Sequence, residues 1–140
     1  MPAPANVDTV DHGQAGRPEP GDELVLTFAG AVDPALILSG WDGTAAAVRV
    51  RFEGAGDDTI TVRDTSDAAL SELGSIQANR DWAASSAEFT GSQMTLSGNT
   101  ITIVLGTLSG TITRDPSAKA LVWTTPHGTA TESGHPDSDF

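Results

Sequence analysis

The sequence predicts an all-β domain: a β-sandwich of seven or eight short strands with one or two short helical turns. Three observations predict it. Apolar and polar residues alternate with period two through most of the middle of the chain. The connections between those runs are rich in Gly, Pro and Asp. No segment carries a helical pattern long enough to build a covering layer, so the sheets must bury their apolar faces against each other. The chain has 140 residues and a mass of 14.4 kDa, which is one ordinary domain.

Each element follows from its own residues. Leu24, Leu26 and Phe28 alternate with Glu23, Val25 and Thr27, giving a strand ended by Gly30. Asp33, Pro34 and the apolar run Ala35 to Leu38 read as a cap, a first-turn proline and one helical turn, stopped by Gly40. Val48, Val50 and Phe52 alternate with Arg49, Arg51 and Glu53, the cleanest strand with one wet face. Ile60 and Val62 repeat the pattern after the turn residues 53–58, which predicts a hairpin. Ser66 to Leu73 reads as a further turn or two of helix, ended by Gly74. Met94 and Leu96, the turn Ser97-Gly98-Asn99, and Ile101, Ile103 and Leu105 predict a second hairpin. Thr111 to Arg114 and Leu121 to Trp123 are the last short strands, separated by the turn Asp115-Pro116-Ser117. The ordered body therefore spans residues 22–125. Residues 1–21 read as a linker or irregular edge, with one short edge strand at Val7–Val10, and residues 126–140 as a loose polar tail.

Composition excludes several functions. There is no cysteine, hence no disulfide, thiolate nucleophile or cysteine-held zinc. Seven basic against nineteen acidic residues leave a net charge of −12, which repels phosphate backbones and anionic membranes. No apolar run reaches the length of a membrane span, and no charged-then-apolar leader opens the chain. This fits an intracellular protein or a piece of a longer exported one. The three histidines, His12, His127 and His135, all fall in the terminal stretches, away from a rigid frame that would fix a tautomer. No Gly-x-Ser-x-Gly elbow at a strand-to-helix turn and no phosphate-cradling loop occurs, so no enzyme is expected.

Three candidate binding sites stand beside plainer structural readings. Glu53, Asp57 and Asp58 in a glycine-rich turn offer carboxylate oxygens to Ca²⁺, against the plainer reading of turn aspartates bonded to their own backbone. Asp8, Asp11 and His12 form a lesser metal candidate in the terminal stretch. Trp82, flanked by Asn79, Arg80 and Asp81 in a segment without periodicity, has the composition of a glycan platform. Its plainer reading is an anchor that pins a long loop. Trp123 alternates with Leu121 and is expected in the core.

The run Gly21-Asp22-Glu23-Leu24-Val25-Leu26-Thr27-Phe28, then Val32-Asp33-Pro34, resembles the opening of bacterial immunoglobulin-like modules repeated in large exported proteins. Asp57 to Val62 and Asn99 to Ile103 are similar to middle strands of that family, and Ala120 to Thr124 to its closing strand. Ala29-Gly30-Ala31 stands where the family carries Ser-Glu, which removes a carboxylate. The resemblance spans about residues 16–134. It implies an immunoglobulin-like sandwich and a non-catalytic spacer, adhesion or binding module, secreted or at the cell surface. The implied partners are neighbouring modules, a surface protein or a glycan; small Ala, Thr and Ser side chains on an edge strand leave its backbone accessible, so the chain is expected to be a monomer or to associate weakly by that edge. A viral or phage decoration domain shares such a sandwich.

One prediction needs only the charge. Self-repulsion at −12 is screened by salt. The melting temperature should rise between about 10 and 300 mM NaCl. A flat or falling curve would refute it.

Overall fold

A computed structural model describes residues 1–116, 119–133 and 140. Among them ten strands form: β1 (Pro4–Val10), β2 (Glu23–Phe28), β3 (Ala46–Glu53), β4 (Thr59–Arg63), β5 (Ser75–Gln77), β6 (Ala83–Ser97), β7 (Thr100–Val104), β8 (Thr107–Ile112), β9 (Val122–Thr125) and β10 (Gly128–Thr131). The helical content is α1 (Pro34–Ile37), capped by the Asp33 carboxylate, and one 3-10 turn at Ser71–Leu73. The all-β class and the short helical turns are as expected.

The strands belong to one antiparallel sheet, ordered β1-β2-β7-β6-β3-β4-β5-β9-β10, with β8 also paired to β6. The two ends of that path, β1 and β10, lie against each other, so the sheet is nearly closed into a barrel. Ser133 stitches the seam, its N–H and hydroxyl both reaching Asn6 Oδ1 at 3.0 Å. The expected division into two separate sheets is replaced by this continuous hydrogen-bonded path.

Both predicted hairpins are present, with Phe52 opposite Ile60 and Leu96 opposite Ile101. The inward positions of these strands fill the interior: Leu24, Leu26, Phe28, Val48, Val50, Phe52, Ile60, Ile101 and Ile103 are all at most 1% exposed. Trp123 is buried among them as expected, edge-on to Phe28 at 4.9 Å, with its indole N–H on Leu73 O.

The edge strand expected at Val7–Val10 is present and longer, whereas the C-terminal end differs from the expected loose tail. β1 pairs with β2 over most of its length and buries Val7, so the first residues belong to the sheet. β10 pairs with β9, and Phe140 is fully buried. Residues 128–133 and Phe140 are therefore part of the body. Residues 134–139 of the expected tail, and Ser117 of the expected turn, lie outside the described residues.

Two glycines show how tightly strands meet. Gly74 has φ +59, and a Cβ there would sit 1.8 Å from Thr124 O. Gly98 has φ +64, but a Cβ would meet nothing within 4 Å. Gly98→Ala should therefore cost only the left-handed strain, about 1–2 kcal/mol. Gly74→Ala adds a backbone clash and should cost about 3 kcal/mol or more. Ile103→Ala, a core truncation, should cost about 2–5 kcal/mol. Urea unfolding of the three variants checks the order. Equal losses at Gly74 and Gly98 would contradict the packing of β9 against the Ser71–Leu73 turn.

Candidate functional site

The expected cation site does not assemble. Glu53 is exposed on β3 and forms ion pairs with Arg51 (3.7 Å) and Arg63 (3.6 Å). Asp57 is exposed in the turn. Asp58 points the other way and is fully buried. Its Oδ2 accepts the backbone N–H groups of Trp82 (2.9 Å) and Ala83 (2.8 Å). Its own N–H and carbonyl bond to Arg80 and Ala78, so one residue holds the entry to β6 at four points. Asp58 Oδ1 is buried with no hydrogen-bond partner among the described residues. Burial raises the Asp58 pKa, against the opposing pull of those two backbone donors.

The expected glycan platform is likewise inverted. Trp82 is fully buried, edge-on to Phe52 (5.9 Å) and Phe140 (5.4 Å), and its indole N–H donates to Gly16 O at 2.9 Å. Arg80 is 1% exposed and lies over the Trp82 ring at 5.3 Å. Asn79 Nδ2 donates to Ala120 O, and Asp81 N–H to the Asp115 carboxylate. Trp82 is thus the anchor of the plainer reading. A stacking platform needs an open ring face, and this ring has none.

Two other constellations do assemble. The first is an ion-pair network on the outer face of β6, β3 and β4. Arg51 takes both carboxylate oxygens of Asp67 at 2.7 Å and Glu88 Oε2 at 3.0 Å. Arg49 reaches Glu88 at 3.3 Å, and Arg63 donates to Asp67 O at 3.1 Å. Three arginines and three carboxylates close on each other. The Arg51 guanidinium lowers the Asp67 pKa. Shallow hollows of about 310 and 430 Å³ flank Glu53; the first reaches Ser86, Glu88 and Ser109, the second Thr59, Thr61 and Ser85. The sequence carried a signal for this face in the alternating Arg49, Arg51 and Glu53, but not the partners from β6 and the turn at Asp67.

The second is a carboxylate cluster that groups Asp11 with Glu19 and Asp22, one oxygen of each lying within 4.8 Å of the others. Among the described residues it is the group with the spacing to hold a cation, and it draws in Asp11 but neither Asp8 nor His12. Asp22 is fully buried; its oxygens accept His12 N–H (2.7 Å) and Glu19 N–H (2.9 Å). Burial raises its pKa. His12 Nε2 pairs with Glu23 at 2.6 Å, which raises the imidazole pKa.

No helix among the described residues is long and apolar enough to cross a membrane. Comparison with protein-family models, with curated proteins and with solved structures finds no match.

The buried aspartates set a pH dependence. A carboxyl whose folded pKa lies above its unfolded value of about 3.9 stabilises the fold below that value and loses the contribution as pH rises through the folded pKa. Asp22 and Asp58 act in this sense. Asp67 acts oppositely, its contribution falling away as pH drops below the usual carboxylate range. The contributions of Asp22 and Asp58 should therefore decline as pH rises above the usual carboxylate range. Asp58→Asn keeps an acceptor for Trp82 and Ala83 and should flatten that decline. Asp58→Ala leaves both N–H groups unpaired and should cost about 1–3 kcal/mol or more at any pH. Urea melts from pH 3 to 8 at fixed ionic strength decide it, and an unchanged slope in Asp58→Asn would refute the assignment.

Proposed function

We propose that the chain is a non-catalytic structural module, a spacer, stalk or adhesion unit of a longer exported or cell-surface protein, working through its surface rather than a chemical centre. The nearly closed barrel would serve where the resemblance implied an immunoglobulin-like sandwich, and a decoration unit on a virus or phage would use it the same way. The residues with the most chemical potential support this reading by what they already hold. Asp58, Arg80 and Trp82 fix the entry to β6, and Arg51 is engaged by two carboxylates.

The observation that carries the proposal is β8. Its six residues, Thr107 to Ile112, are uncharged and mostly exposed, and among the described residues β6 is its one neighbour in the sheet. β1 and β10 cover each other, whereas among the described residues no strand pairs with the far side of β8. An unpaired, uncharged edge is a template for β-strand addition. In a chain of charge −12 the natural partner is a neutral or basic strand of a neighbouring module.

A specific observation favours a calcium-binding accessory module as a second reading. Three carboxylates within 4.8 Å repel one another unless a proton or a cation neutralises them.

Two measurements test these readings. At about 0.1 mM protein, edge pairing should give reversible association that strengthens with NaCl and is lost in Thr111→Lys, which places a charge on the edge. Association unaffected by that substitution would remove β8 from the proposal. Adding about 1 mM CaCl₂ at matched ionic strength should raise the melting temperature only if the second reading holds, and Asp11→Asn should then abolish the rise.

A further inference from the structure

Phe140 occupies its place as a ligand would. Its ring is fully buried, edge-on to Trp82 at 5.4 Å and to Phe52 at 6.1 Å. Its N–H donates to Thr9 Oγ1 at 3.1 Å, and its carbonyl accepts the Arg17 N–H at 2.6 Å. The socket thus reads one aromatic side chain and both main-chain groups of the residue that bears it. These contacts come from β1, the loop after it, β3 and the entry to β6, and none from β9 or β10 that precede Phe140 in the chain. Arg17 Nε is also buried without a partner among the described residues, a donor that an acceptor on an incoming segment would satisfy.

The chain's own geometry sets the tether. Ser133 is bonded to Asn6 and Phe140 to Thr9, two points on β1 about 10 Å apart by strand rise. Seven peptide links from 133 to 140 can span about 24 Å. Delivery from another copy would reproduce every contact, which makes exchange of this kind a low-cost route to association.

We propose that this socket is a docking site for an aromatic residue on an extended segment, filled by the chain's own Phe140 and, where copies are crowded, by Phe140 of a second copy. It rests on strands other than the open side of β8 and is independent of what β8 binds. A short tether gives an effective concentration of order 1 mM, so isolated chains should fill the socket internally and exchange should appear only at comparable protein concentrations.

The test uses the full chain with Phe140→Ala and, as probe, the heptapeptide of residues 134–140. Phe140→Ala should bind the peptide with Kd on the order of 0.05 mM, well below the effective concentration that keeps the wild-type socket filled, read by Trp fluorescence and a rise in melting temperature. The same peptide ending in Ala should do nothing, and the wild-type chain, already filled, should not respond. If Phe140→Ala is unfolded, the peptide should restore its far-UV spectrum. No saturable response up to about 5 mM, or equal responses to both peptides, overturns the socket. In a Thr111→Lys background, which removes edge pairing, the chain bearing Phe140 should show dimer at about 1 mM and the Phe140→Ala chain should not. A monomer in both, or equal dimer in both, overturns the exchange.

Discussion

The 15-residue strand β6 is the member on which the sheet depends. It connects two groups of strands, β1-β2-β7 on one side and β3-β4-β5-β9-β10 on the other. It pairs with β3 over most of its length, while its other side is taken by β8 over Ala83–Thr90 and by β7 over Gln93–Ser97. The change of partner falls at a bulge: Val48 and Val50 oppose Ser92 and Phe89, so β6 carries one extra residue there, and Gly91 has φ +64. Bulges bend a strand and increase its twist. Ser92, fully buried, fixes the bend by donating to Phe89 O and accepting Gly106 N–H. Gly106 is pressed so close that a Cβ would lie 2.2 Å from Thr90 O. Without this bend, one continuous sheet could not bring β1 round to β10.

The bend also explains which parts of the fold were legible. β2, β3, β4 and β7 alternate strongly because each has one face on the core and one in water, and alternation is the local trace of that condition. The first half of β6 reads Ala-Ala-Ser-Ser-Ala-Glu, and β10 reads Gly-Thr-Ala-Thr. Small residues suit a strand pressed between neighbours or against a seam, but they carry no period. β5 is three residues long and exists because β4 and β9 flank it. The continuous path, as opposed to two facing sheets, was beyond reach for the same reason: it turns on pairings of β6 that local sequence does not encode.

The candidate sites failed in a related way. Trp82 sits among polar neighbours, which is the local mark of exposure. Its burial is decided by Asp58, 24 residues earlier, and by Gly16, 66 residues away. Asp58 was read as one of three like carboxylates in a turn, but strand parity separates them. Glu53 faces outward to the arginines, and Asp58 turns inward to backbone donors. A lone buried carboxylate accepting two N–H groups is a stable structural device, and its raised pKa is the electrostatic trace of that placement. The acidic surplus is thus unevenly managed. Some carboxylates are neutralised by arginines on the outer face, some are desolvated as internal acceptors, and the rest stay exposed, which keeps the barrel surface repellent to anions.

Trp82 finally links the bend to the closed end of the barrel. Asp58 holds its backbone, Gly16 its indole N–H, and Arg80 lies over its ring. The loop carrying Gly16 is tied in turn to Asp115 by a backbone hydrogen bond and supplies the Arg17 N–H for Phe140 O. The end of the core is therefore closed by segments from four distant parts of the chain around one indole. All but one of them are held by neighbours along the chain that already belong to the sheet. Phe140 is the exception, since the described strand nearest before it ends at Thr131. Its contacts are made by residues that the fold positions for other reasons: Phe52 as part of β3, Trp82 as the anchor of β6, and Thr9 as part of β1. A place lined by residues that the sheet positions, and filled by a residue outside the described strands, has the geometry of the docking site proposed for Phe140.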